Sequence, residues 1–527
     1  MVRFGVRRAA LALVCASLGC FIGGGPTATA GGPQQVRRLS VREYVATVED
    51  LTGVKVPEHR FLEDTLDTGF DDGPTTLRVQ QEQAEDYERA AREVAAAALR
   101  DHREKLFGAC DPARGSCRDA LLDGFAPRAY RRPLEGGERA ALAALWDQAA
   151  ALLGPDDAAV TTTSAILQSP AFLWRSEVGE VAKDGKVYLT PFEIAAELSY
   201  FLTGKNPDAA LEAAAASGEL HTEDGIRRHA LRLLETPEAR AQLRHFLDQW
   251  LGTDVLLNVP KDPLAFIVFD PSLRLAMRAE LDAFYERALF EGQGSLGDLF
   301  GATDGFVNDR LAIHYGHAAR PGISAERVDL GPARPGVLTR AGFLTVHAGF
   351  GDSNPIARGV FVRGALLCAP PMTPSGDAIR KLADVGGART TRERFATHSR
   401  DPFCQTCHER IDGVGFGLED FDGIGAARAA ENGVPIDASG TLFDAGDGAD
   451  GPFVGAAELS LRLARSPKVA ACFVRQAFRF AMGRAETERD TQTLLALSAS
   501  FDGRARITDL LVALATSRAF RERWVEP

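Results

Sequence analysis

Cys404, Gln405, Thr406, Cys407 and His408 carry the sharpest chemistry in the chain. The order C-x-x-C-H is the attachment sequence of a c-type heme. Two thiols three positions apart on a helical turn reach the two vinyl groups along one edge of a porphyrin. The imidazole that follows then lies beneath the ring. The expected cofactor is therefore a covalent heme c, with Cys404 and Cys407 as thioether anchors and His408 as the proximal iron ligand. Three other readings compete. A thioredoxin-like redox pair lacks the surrounding βαβ pattern. A zinc site would draw on His398 and still need a fourth ligand. A structural disulfide between the two cysteines is the third.

The sixth iron position has three candidates. His398 lies ten residues before His408, Met372 lies in Ala369-Pro-Pro-Met-Thr-Pro374, and His347 precedes a Gly-rich turn. A bis-His site lowers the reduction potential relative to His/Met, and a vacant site opens the iron to peroxide or oxygen. Arg400, Arg410 and Arg428 are the cations available to heme propionates. The acidic run Glu419, Asp420 and Asp422 reads as a solvated turn, with ferric stabilisation or steering of a basic partner as the functional alternative. Asp444, Asp447 and Asp450 are spaced by three, which fits turns better than a calcium loop. Arg131-Arg132-Pro133 reads as a charged turn at a helix end rather than an anion site.

These residues need a scaffold, and the chain is long enough to supply one. Its 527 residues are 45% apolar and 25% charged, ordinary globular values that exclude a collagen, a disordered tail or a small disulfide knot. The formal charge of −12 argues against coating nucleic acid, which needs clustered Lys and Arg. No nucleophile elbow, H-E-x-x-H or phosphate loop is present, so hydrolysis has no residue-level support.

The start reads as an export signal. Residues 1–30 run from Arg3, Arg7 and Arg8 through the apolar stretch Ala9–Leu18 to small residues. That stretch is far short of the ~20 residues of a membrane span. Ala28-Thr29-Ala30 fits a cleavage site. Ser17-Leu18-Gly19-Cys20 resembles a bacterial lipoprotein box, in which Cys20 becomes a lipidated first residue. Both predict a periplasmic or cell-surface protein, the second with membrane attachment through lipid. In an oxidising compartment, Cys110 and Cys117 flank a short Gly/Pro loop and are expected to pair. Cys368 and Cys472 then remain as a possible second bridge.

Helical signals dominate. Ser40-Val-Arg-Glu43 and Thr190-Pro-Phe-Glu193 are capping boxes, and Thr236-Pro237 and Ser466-Pro467 repeat the N-cap/Pro device. Helices are predicted over 80–100, 117–126, 137–153, 161–177, 190–201, 270–290, 355–367, 468–482, 489–501 and 507–521. Strands are predicted over 186–189 and for a pair at 424–428 and 434–437. Pro370–Thr390 reads as a loop. The expected fold is mainly α: irregular helical bundles, a C-terminal cytochrome-c-like heme segment and minor β.

Around the motif the chain continues Gly415-Phe-x-Leu-Glu-Asp-Phe-Asp422, Ile424-Gly425, Arg428 and Pro435-Ile-Asp-Ala-Ser-Gly440. Upstream stand Leu39-Ser-Val-Arg-Glu-Tyr44, Phe125-Ala-Pro-Arg-Ala-Tyr-Arg-Arg-Pro133, Ser169-Pro-Ala-Phe-Leu-Trp-Arg175 and Leu367-Cys-Ala-Pro-Pro371. Downstream, Cys472 is followed by Ala481-Met-Gly-Arg484. In this order the segments resemble the multi-domain cytochrome-c-like proteins of planctomycetes and myxobacteria. Those proteins are catalogued as domains of unknown function DUF1587, DUF1595, DUF1592, DUF1588 and DUF1585. The resemblance spans roughly residues 36–525. Beside the signal read over 1–30, it implies a helical region over 36–180, a central domain over 181–350, a heme-attachment domain over 351–455 and a C-terminal domain over 456–527. One departure is that Asp412 is followed by Gly413 where the family often has proline. The function expected is an exported monoheme electron-transfer protein serving a redox partner protein. A heme-dependent, peroxidase-like oxidoreductase with an open distal site and a non-catalytic surface scaffold are the alternatives.

Overall fold

The structure, a computed structural model, describes residues 36–66, 68–73, 79–110, 117–181, 185–319, 322, 324–371, 388–398 and 402–524. The signal with Cys20, Met372, Arg400 and most of the 370–390 loop lie outside these residues, as do the side chains of His398 and Cys404.

The fold is mainly α, with short antiparallel strand pairs at its joints. Helices begin where side chains can satisfy the unpaired first-turn N–H groups. Ser40 accepts from the Glu43 amide while Glu43 accepts from the Ser40 amide at 3.0 Å, opening Val41–Thr52. Thr190 and Glu193 repeat the arrangement at Pro191–Thr203. Proline, whose missing N–H costs nothing at the first helical position, starts Pro237–Leu251, Pro271–Phe290 and Pro467–Met482.

The predicted helix 507–521 is broken, with Ile507–Ala515 ending before an extended Ser517 that caps the Phe520 amide of Arg518–Arg521, and two further predicted elements differ. Residues 161–177 do not form one helix. Helix Pro155–Leu167 stops, Ser169-Pro170 starts the short turn Pro170–Leu173, and Trp174–Ser176 is a strand. Pro170 cannot donate to the preceding turn, and Ser169 is extended and caps the Phe172 amide instead. Four apolar residues of that stretch are still buried: Ile166, Leu167, Phe172 and Leu173. The second difference is at 424–428, which forms a turn closed by a Phe421–Ala427 bridge. The strand Val434–Pro435 pairs with Ala430–Glu431, its nearest sequence neighbour.

Apolar burial falls into two clusters. One gathers Leu39 to Leu173, with Tyr200, around Tyr44, Tyr87 and Phe172. The other runs from Leu189 to Phe520 and takes in Phe70. Strands tie the two together. Val36–Arg38 pairs with Trp174–Ser176, and the terminal Glu522–Trp524 pairs with Lys186–Tyr188. At this seam Arg37, Arg175 and Arg523 are almost fully buried, facing Glu43, Glu177 and Glu197. Arg131 is buried nearby, donating to the carbonyls of Ala129, Ala171, Phe172 and Trp174. It caps helix Ala126–Tyr130, the charged turn at a helix end that the sequence predicts, and is buried there as a structural strut.

Candidate functional site

The motif sits on helix Pro402–Phe416. Positions 404, 407, 408 and 411 recur at i, i+3, i+4 and i+7, so Cys407, the imidazole and Ile411 share one side of the helix. Glycines fix where that helix lies. A Cβ on Gly359 would fall 2.2 Å from the Ile411 carbonyl oxygen, and one on Gly415 1.8 Å from that of Pro355. The helices Pro355–Phe361 and Pro402–Phe416 therefore touch backbone to backbone. On the other flank, a Cβ on Gly440 would fall 2.0 Å from the Gly413 carbonyl oxygen. The strand Ser439–Leu442 packs directly on the helix there. Gly413 has this local reason to be small: a Cβ would be 3.1 Å from the Thr441 amide nitrogen.

His408 is oriented by its own helix. Nδ1 lies 2.7 Å from Asp412 Oδ1, one turn on, with both side chains largely buried. The carboxylate only accepts, so Nδ1 carries the proton and the lone pair of a neutral ring is at Nε2. That is the arrangement in which metal-ligating histidines are held. Cys407 is a free, half-buried thiol, which weighs against the structural-disulfide reading.

Two clefts flank the motif helix. The first, about 800 Å³, borders His408, Asp412, Phe416, Phe443, Phe453 and Arg392. Arg392 stacks over Phe416 at 4.3 Å and donates to the Asp437 carbonyl at 2.9 Å. Burial first, only partly offset by Asp437, Glu419 and Asp412, lowers the pKa of its guanidinium. The second, about 520 Å³, borders Ile411 on the motif helix and Arg363, Arg475 and Arg479 from other elements.

The remaining candidates are placed elsewhere. His347 donates Nε2 to the Leu251 carbonyl at 2.8 Å and packs on Phe343 and Phe361, so that nitrogen is committed to the scaffold. Burial pushes its pKa down to about 4. Arg428 is bound to Glu419 at 2.6 Å and to Ser353 at 3.0 Å, not to either cleft. Arg410 lies on Asp444 at 2.6 Å. The acidic run is not a solvated turn. Glu419 is buried with Arg358, whose guanidinium also donates to the carbonyls of Leu418, Phe421 and Asp422. Burial pushes the Glu419 carboxyl up and Arg358 down to about 10. Asp422 accepts from the amides of Ile424 and Ala426, each at 2.9 Å, and Asp420 from that of Ala456. The run thus braces the segment that follows the motif, because each carboxylate meets local donors. Among the described residues no group of three or more His, Cys, Asp or Glu is placed to hold a metal ion.

Cys110 is bonded to Cys117, and Cys368 to Cys472. The second bridge joins the chain just after the π-turn Val362–Leu366 to helix Pro467–Met482. Sequence reasoning passed over Asp412, Arg392, Arg363, Arg475 and Arg479. Asp412 was legible as the i+4 neighbour of His408. Arg475 and Arg479 are set beside the motif only by tertiary packing.

The described fold is thus that of a helical, multi-segment protein built around a C-x-x-C-H helix. Five family models match it in sequence, each described as a protein of unknown function. DUF1587 matches residues 37–100, DUF1595 residues 117–177 and DUF1592 residues 189–317. DUF1588 matches residues 334–431 and DUF1585 residues 450–520. The chain belongs to the multi-domain cytochrome-c-like family that these segments define. No curated protein and no solved structure matches it. Among the described residues no helix is long and apolar enough to cross a membrane.

Proposed function

We propose that this is an exported monoheme protein that transfers electrons through a covalent heme c. The observation that carries the reading is the His408–Asp412 pair, one turn apart on a helix that also bears Cys404 and a free Cys407. The donor set suits the group: a thiol and an imidazole with its proton fixed on Nδ1. Cys404 and Cys407 would hold the porphyrin and His408 the iron. When bound, the heme supplies a one-electron ferric/ferrous couple.

The protein's own residues do the positioning. Asp412 holds the Nδ1 proton and raises the basicity of Nε2, which favours ferric iron. The glycine contacts at 359, 413, 415 and 440 keep the helix from shifting as charge changes. His398 remains the proposed distal ligand and Met372 its alternative. Export rests on residues 1–30, and lipid on Cys20 would hold the mature protein at a membrane.

The test is expression of the full chain in a host with heme-attachment machinery. A pyridine-hemochrome spectrum should report one heme per chain, retained on a denaturing gel and lost in Cys404→Ala/Cys407→Ala. Colourless wild-type protein would sink the reading. Carbon monoxide binding to the reduced protein would replace electron transfer by the open-site oxidoreductase. The mass of the mature chain reports whether Cys20 carries lipid.

A further inference from the structure

The second cleft has more cations than carboxylates. Arg475 and Arg479 lie on helix Pro467–Met482 at i+3 and i+7 from Cys472, on the side that the Cys368–Cys472 bridge ties down. Both arginines share one carboxylate: Glu486 is 3.1 Å from Arg475 Nε and 2.8 Å from Arg479 Nε. Arg363 reaches Asp444 at 3.4 Å, and Asp444 is already held by Arg410 at 2.6 Å. Among the described residues these four guanidiniums, three of them lining the open cavity of about 520 Å³, thus face two carboxylates, an excess of two positive charges. Ile411, one turn beyond Cys407 on the motif helix, lines the same cavity. The Ala365 carbonyl, three residues before Cys368, receives the Trp250 indole N–H at 2.9 Å, which anchors this wall to the main core.

From this we infer that the cleft between Ile411 and helix Pro467–Met482 binds the two carboxylates of the porphyrin, with Arg475 and Arg479 as the principal partners and Arg363 beside them. The inference rests on the heme reading above. It takes the place of Arg410 and Arg428 as propionate partners and makes the C-terminal segment part of the cofactor site. Guanidinium forks suit carboxylates in paired geometry. Two arginines tethered to one glutamate keep donors in reserve for a second anion. The heme-bearing segment and the C-terminal helix then share one ligand across the 104-residue separation spanned by the disulfide.

The charges predict a sign. Arg475→Gln/Arg479→Gln removes two cations near the ring and favours ferric iron. Glu486→Gln removes one anion, frees both arginines and favours ferrous iron. Spectroelectrochemical titration of the full chain should show the ferric/ferrous equilibrium moving at least tenfold in opposite directions, about 59 mV each for one electron. A merely structural role would not give opposite signs. Arg475→Lys/Arg479→Lys should restore most of the wild-type potential. Covalent heme with the potential unmoved in both variants, or moved the same way, overturns the assignment and leaves the heme reading intact. If the double variant does not accumulate, Glu486→Gln decides alone, and an unmoved or lowered potential overturns the assignment. Wild-type protein without heme overturns both.

Discussion

Two clusters of arginines set the two halves of the molecule apart. At the seam, Arg37, Arg175 and Arg523 are buried against Glu43, Asp72, Glu177 and Glu197, at least one carboxylate for each guanidinium. Near the motif helix, among the described residues, Arg363, Arg410, Arg475 and Arg479 share only Asp444 and Glu486, and a cavity opens on Arg363, Arg475 and Arg479. Balance in a dry interior makes a joint, because a buried charge must be answered within the protein. Excess at an open cleft makes a receptor, because the missing charge can arrive with a ligand. The same residue type therefore does two jobs, and the carboxylate count tells them apart.

The largest expected effect breaks the closed cluster. Glu197→Ala leaves Arg37 and Arg175 short of a buried partner and should cost about 3–5 kcal/mol in urea unfolding. Glu486→Ala at the open cluster should cost only about 1 kcal/mol, since its arginines still reach water. Comparable losses at both sites would erase the distinction.

The backbone contacts beside the open cluster come next. Gly415→Ala drives a methyl into the Pro355 carbonyl and should lower stability by about 1–3 kcal/mol. Gly364→Ala, on the same cradle with nothing within 4 Å, should stay within about 0.5 kcal/mol. Thermal melts of the two variants check whether the cradle is as tight as its distances imply.

His347 gives a pH signature. Its folded pKa is about 4, below the ~6.5 of an unfolded histidine, so the unfolded chain binds the extra proton first. The stability of the neutral ring is complete above pH ~6.5 and is lost as pH falls towards 4. Its contribution is about 2 kcal/mol, less than the full displacement because His347 is only half-buried. His347→Gln should flatten the wild-type decline in melting temperature between pH 6.5 and pH 4. An unchanged slope would remove His347 from the account.

Short-range signals were legible along the chain. Capping boxes at Ser40 and Thr190 and first-turn prolines at Pro237 and Pro467 start helices because their partners lie within three residues. Helix periodicity was overextended at 161–177, where Pro170 outweighs an apolar pattern that continues through it. The acidic run misled for a different reason. Three carboxylates in four residues look solvated until Arg358 is known to be buried beneath them.

The chain alone determined most of its helix starts, the C-x-x-C-H motif and the ordered segments of its family, because each depends on residues close together in sequence. Tertiary structure decided which charges are spent internally and which face a cleft. Arg475 and Arg479 reach the neighbourhood of Ile411 only because helix Pro467–Met482 packs across the cradle and is tied there through Cys472. Pairing of that kind depends on the closing of long loops, to which no local pattern is bound.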